Sequence, residues 1–148
     1  MRRKLDFLCL QEVRYKGAGA SLFEVMEGQH KIFYNGRFDG AGGVGVIVSG
    51  DMAKNVIEVQ RVGEQIIVLR VGLGSCILNV ISVYAPQMGR SEKDKEGFYM
   101  DLLRVVSGVS QNEKMIVAGD FNGHVGQKRD GFPEVHGGFG IGERNAEG

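Results

Sequence analysis

The chain has 148 residues, one domain by length, and is 43% hydrophobic, enough for a sizeable core. Its 18 Lys and Arg balance 18 Asp and Glu, which excludes a whole-molecule field as the source of attraction to a polyanion. Any such attraction has to come from a local patch or a bound metal.

No apolar stretch approaches the roughly 20 residues of a membrane span, and the start at Met1-Arg2-Arg3-Lys4 leads into no signal-peptide core. No membrane partner is expected. Cys9 and Cys76 sit inside apolar runs without Cys-x-x-Cys spacing, so they read as free thiols rather than as a disulfide or zinc ligands, which points to an intracellular location. The 24 glycines, against 2 prolines, fall between and beside β-rich runs and read as turns and strand ends.

Lys4 to Leu10 is a short apolar run closing on Gln11-Glu12, the pattern of a buried strand. Ser21 to Glu27 reads as one or two helical turns. His30 to Tyr34, Gly43 to Ser49, Asn55 to Val62, Gln65 to Val71 and Cys76 to Tyr84 read as strands rich in Val, Ile and aromatics. Gly63-Glu64 and Gly72-Leu73-Gly74 are the expected hairpin turns. This places four consecutive antiparallel strands in the middle of the chain.

The period then changes. Ser91 and Asp94 form a capping-box-like start, and Phe98, Leu102, Val105, Val106 and Val109 follow at helical spacing. Lys114 to Gly119 is a further buried strand ending on Asp120. Beyond Asn122 a glycine-rich stretch without a clear element runs to Gly148, and its packing partners are expected further along a longer chain. Mixed strands and helices in this order predict a sheet-bearing α/β (α+β) domain.

Three places share one feature, a polar group where an apolar strand runs out: Glu12, Tyr84, and Asp120 with Asn122. Strand ends on a rigid sheet suit functional groups because packing fixes the backbone that carries them. Two carboxylates, an amide and a phenol, without paired Cys or His, suit a hard ion such as Mg²⁺. Each residue also has an ordinary explanation: acids end strands as turn formers, Tyr84 before Ala85-Pro86 fits a half-buried strand, and Asn122-Gly123 is a turn dipeptide.

Together, Leu10-Gln11-Glu12, Ser82-Val83-Tyr84-Ala85-Pro86 and Gly119-Asp120-Phe121-Asn122 resemble, in that order, the endonuclease/exonuclease/phosphatase (deoxyribonuclease I-like) superfamily. Gly43-Val44-Gly45-Val46, and Tyr84-Ala85-Pro86-Gln87 followed by Lys93-Asp94-Lys95-Glu96-Gly97-Phe98-Tyr99, are similar to its RTE-type LINE retrotransposon branch. The resemblance implies a four-layered α/β/β/α sandwich with mostly antiparallel sheets. It also implies hydrolysis of a phosphodiester by water, with Mg²⁺, or Mn²⁺ in its place, stabilising the developing charge.

By motif match Glu12 is the principal metal ligand, and Asp120 orients or activates the water, or helps at the leaving oxygen, and is a second candidate ligand of the metal. Asn122 bonds the scissile phosphate and Tyr84 positions its oxygens. DNA is the expected partner and the nucleus the expected compartment, ahead of the cytoplasm.

The family's complete site also has an upstream Asn strand and a downstream Asp-His pair. His30, His124 and His136 do not match that pair, so residues 1–148 are expected to be a partial domain lacking its first strand and C-terminal part. Such a chain is expected to be weak or inactive alone and able to self-associate through incomplete sheet edges. A non-catalytic interaction module and a phosphoesterase with a non-nucleic-acid substrate are the alternatives. Arg2, Arg3, Lys4, Arg14, Lys16, Lys128 and Arg129 are candidates for a phosphate-facing rim.

Overall fold

Val44, Val46 and Val48 are fully buried and alternate with Gly45, Ile47 and Ser49, the signature of a strand with one face on a core. The computed structural model describes residues 5–26 and 28–148. In chain order its elements are β1 (Phe7–Gln11), β2 (Ala18–Val25), β3 (Gly28–Asn35), β4 (Val44–Ser49), α1 (Gly50–Ala53), β5 (Val56–Val62), β6 (Ile66–Leu73), β7 (Cys76–Tyr84), α2 (Glu92–Gly108) and β8 (Lys114–Asp120). They form two four-stranded sheets, ordered β1-β4-β3-β2 and β5-β6-β7-β8. All pairings are antiparallel except β7 with β8, which α2 connects in parallel.

The strands expected as one antiparallel run thus divide between the sheets, because α1 turns the chain from β4 into the second sheet. Phe33, Val44, Val46 and Val48 from one sheet meet Ile67, Leu69, Val71 and Val80 from the other in the central core. A second core sets Ile66, Val68, Ile81 and Val83 against Phe98 and Val105 of α2. β6 is buried on both faces, which is why its sequence reads as a nearly continuous apolar run. Ser91 caps α2 as expected, its Oγ accepting from Asp94 N at 3.1 Å.

Two further sequence expectations are corrected. Ser21 to Glu27 is not helical: Ala18–Val25 is strand β2, paired with β3 from Ala18↔Asn35 to Val25↔Gly28, while Glu27 lies outside the described residues. Pairing with β3 supplies the hydrogen bonds that an isolated short helix would have to make for itself. Strand β8 is present, but as an edge strand with Met115 39% and Ile116 52% exposed, rather than buried.

The segment after Asn122, expected without clear structure, has no helix or strand but is cross-tied by local bonds. Asn145 Oδ1 accepts from His124 N at 2.9 Å, and Gln127 N donates to Gly142 O at 3.0 Å. His136 Nδ1 accepts from Gly138 N at 2.9 Å.

α2 supplies one helical layer. On the outer face of the first sheet the implied second one is not seen among the described residues. There Val13 Cγ1 sits 3.2 Å from where a Cβ on Gly45 would lie, and the Tyr15 ring stacks on Tyr34 at 4.4 Å between centroids. Val13 and Tyr15, in the segment between β1 and β2, lie against that face instead. Cys9 and Cys76 are free thiols, both half-buried.

Candidate active site

Because β7 and β8 run parallel, their C-terminal ends emerge together, and the register pairs Tyr84 with Asp120 directly. β1 ends at the same place: Gln11 Nε2 reaches across the sheets to Ser82 Oγ at 3.5 Å, and Glu12 follows at once. Tyr84 Oη donates to Glu12 Oε1 at 2.9 Å. Gln65 fixes the Tyr84 backbone, accepting from its N–H at 2.9 Å and donating from Nε2 to its carbonyl at 3.0 Å.

Glycine is needed at position 119. A Cβ there would lie 2.0 Å from Val83 O, and the backbone holds φ +151°. The close approach brings β8 against β7 just before Asp120. Beyond it Asn122 N donates to Asp120 Oδ1 at 2.8 Å and Asn122 Nδ2 donates to Ala85 O at 2.7 Å. One amide hydrogen of Asn122 therefore holds the loop, leaving the second and Oδ1 for other partners. Glu12 and Asn122 both adopt φ 51°, a left-handed conformation that most non-glycine residues avoid and that gathers at functional sites.

All four residues singled out in the sequence thus stand at one end of the two sheets. Burial, followed by the hydrogen bond to Glu12, raises the Tyr84 phenol above its ordinary pKa. The phenol stays protonated and remains a donor near neutral pH.

Glu12 and Tyr84 form part of the wall of a cleft of about 790 Å³. Residues that sequence reasoning had not singled out complete it: Arg37 and Asp39 from the β3–β4 turn, Gln87 after Pro86, and Arg90 and Lys93 at the start of α2. Gln87, directly after Tyr-Ala-Pro, and Lys93 lay in text that resembles the family; Arg37, Asp39 and Arg90 carried no signal. Asp120 and Asn122 are not on this wall. The lining holds five carboxylates (Glu12, Asp39, Glu64, Asp94 and Asp101) against the cations Arg37, Arg90 and Lys93.

The rim expected from basic residues is only partly seen. Arg14 lies 3.6 Å from Glu12 Oε2, whereas Arg2, Arg3 and Lys4 lie outside the described residues. Lys16, Lys128 and Arg129 are not on the cleft wall. The three imidazoles are elsewhere: His30 stacks on Phe23, while His124 and His136 bond within the loop after β8.

The donor set at the strand ends is oxygen-rich, and among the described residues no three His, Cys, Asp or Glu side chains stand close enough together to hold a metal ion by themselves. Such a site fits a hard divalent ion that keeps several waters and takes one or two carboxylates plus substrate oxygens. It does not fit a softer ion that needs imidazole or thiolate.

A sequence model of the Endonuclease/Exonuclease/phosphatase family matches residues 2–137. The chain belongs to this family. Hydrolysis of phosphoester bonds is the general chemistry of its members, and the two mostly antiparallel sheets agree with its sandwich fold. No curated protein matches the chain. No helix of the described residues is long and apolar enough to cross a membrane.

Proposed function

We propose that the chain is a Mg²⁺-dependent phosphodiesterase acting on DNA, an endonuclease domain of the RTE-type retrotransposon kind, with Mn²⁺ able to replace Mg²⁺ and the nucleus as its place of action. The observation that carries the reading is the Tyr84–Glu12 hydrogen bond at 2.9 Å with Asp120 paired to Tyr84. It joins a metal-type carboxylate, a phenol donor and a second carboxylate from three different strands.

Glu12, together with Asp120, would hold the ion, which supplies charge stabilisation at the phosphate when bound. Tyr84 orients Glu12, and rotation about its Cζ–Oη bond turns the same proton toward a phosphate oxygen. Asn122 offers its remaining amide hydrogen to the scissile phosphate. Asp120 has one oxygen engaged by Asn122 N–H and the other available to orient and deprotonate the attacking water.

With no imidazole on the cleft wall among the described residues, turnover is expected to be slow. A general base matched to neutral pH is worth roughly 10²–10⁴-fold, and the Asp120 carboxylate is a weaker base than an imidazole. That same observation favours a second reading, a non-catalytic interaction module that keeps metal binding.

Supercoiled plasmid incubated with the protein in Mg²⁺, with a chelator control, decides between them. Slow nicking lost in both Glu12→Gln and Asp120→Asn is expected. Nicking retained in those variants would overturn the assignment, and no nicking beside a Glu12-dependent metal response would favour the module.

A further inference from the structure

A β-turn on the rim of the cleft holds an aromatic side chain out in solvent. Gly40 N donates to Arg37 O at 3.1 Å, closing the turn Arg37–Gly40 with Phe38 at its tip. Phe38 is 89% exposed.

An isolated exposed phenylalanine is ordinary, but the turn beneath this one is tied on both sides. Asp39 accepts a bidentate pair from Arg37, Nε to Oδ1 at 3.1 Å and Nη2 to Oδ2 at 2.9 Å, and Oδ1 also accepts from Ala41 N at 2.9 Å. Arg37 Nη1 reaches Glu64 Oε2 of the β5–β6 turn at 3.3 Å, tying the turn to the other sheet. The turn also abuts the site: the Cβ position of Gly42 is 3.8 Å from both Arg37 Cδ and Tyr84 Cε1. The turn is thus tied in place by Arg37 and Asp39, while the Phe38 ring stands in solvent with its Cε1 3.9 Å from the Cβ position of Gly17.

We propose that Phe38 is a base-stacking residue that takes the face of an unpaired nucleotide base while a backbone phosphate of the same strand lies at Tyr84 and Glu12. It would thereby select polynucleotides over small phosphoesters. The inference rests on the proposed hydrolytic site and names what gives that site its substrate class. A polynucleotide lying in the cleft has to carry its bases past the rim, and every base has a π-face for an aromatic ring to meet. A small phosphoester without an aromatic group offers nothing to stack. Arg90 and Lys93, on the same cleft wall and without a carboxylate partner among the described residues, suit the neighbouring phosphates.

The test uses the full chain and short single-stranded DNA carrying one 2-aminopurine, whose fluorescence is quenched by stacking, at fixed salt in Mg²⁺. Wild type is expected to bind with quenching. Phe38→Ala should bind about 10-fold more weakly and lose the quench, the scale of one base–aromatic stack, whereas Phe38→Trp should retain both. Equal affinity and quench in wild type and Phe38→Ala would overturn the proposal.

Glu12-dependent cleavage of a small aryl phosphodiester, measured in parallel, separates the two readings. If it occurs without oligonucleotide binding, the stacking inference fails and the hydrolytic site stands. Phe38-dependent quenching without any cleavage would leave the stacking inference standing and remove the hydrolytic one.

Discussion

Tyr84 Oη and Glu12 Oε1 lie 2.9 Å apart although the residues are separated by 72 positions and come from different sheets. A phenol donor on a carboxylate is a charge-assisted bond, stronger than a neutral pair, and it fixes one oxygen of Glu12 while Arg14 lies near the other.

Replacing Tyr84 with Phe keeps the ring and removes that bond. A hydrogen bond to a charged group is worth about 1.5–3 kcal/mol, so Tyr84→Phe should slow phosphodiester cleavage roughly 10- to 100-fold while the far-ultraviolet circular dichroism stays unchanged. Cleavage at the wild-type rate would show that Glu12 is positioned without its partner.

The same bond makes an alkaline prediction. Burial and then Glu12 raise the Tyr84 pKa above the usual tyrosine value, with Asp120 adding a smaller push in the same direction. A raised pKa in the folded state means stabilisation that is complete below about pH 10, the ordinary value, and is lost as pH climbs through the folded one. Melting temperatures followed upward from pH 9 should therefore fall more steeply for wild type than for Tyr84→Phe. Parallel curves would remove Tyr84 as the titrating group.

Glu12 stands at the strand ends with one oxygen on Tyr84 Oη and the other 3.6 Å from Arg14, an oxygen donor that suits a hard divalent ion keeping most of its waters. Mg²⁺ should raise the melting temperature modestly. The gain saturates slowly for weak binding, reaching about 2.7 kcal/mol only at a hundredfold excess over Kd. Glu12→Gln keeps the shape and loses the charge, so the shift should vanish. Persistence of the full shift in that variant would place the ion away from Glu12.

Gly119 carries the sharpest steric constraint near the site, its Cβ position overlapping the Val83 carbonyl. Gly119→Ala must push β8 away from β7 as well as occupy a conformation that costs of order 1–3 kcal/mol. A loss of at least about 2 kcal/mol in chemical denaturation is expected, together with loss of cleavage as Asp120 moves. A variant of unchanged stability would mean that the two strands are less closely apposed.

On the open side of β8, Met115 and Ile116 are exposed beside unpaired backbone groups, the arrangement that invites edge pairing. The protein should self-associate with rising concentration, and Ile116→Lys should shift sedimentation toward the monomer. Identical sedimentation of the two would argue against this edge as the contact.

Periodicity and residue type were enough to read most strands, helix α2 with its Ser91 cap, and the polar residues that end β1, β7 and β8. These are local properties: side-chain alternation, a capping hydroxyl and a strand running into a carboxylate are written within a few residues. Ser21 to Val25 reads as helix in the sequence but is strand, because its hydrogen bonds come from β3 rather than from its own backbone. The exposure of β8 escaped because an edge strand and a central one have the same apolar sequence and differ only in their neighbours. The cleft wall formed by Arg37, Asp39, Arg90 and Lys93 was equally invisible, since a charged turn residue looks alike whether it faces open water or a site. Composition and order along the chain determined which groups this protein has and that three of them end strands. Which groups meet was decided by the packing of two sheets and the parallel pairing of β7 with β8, because contact between distant residues depends on register and burial that no local stretch encodes.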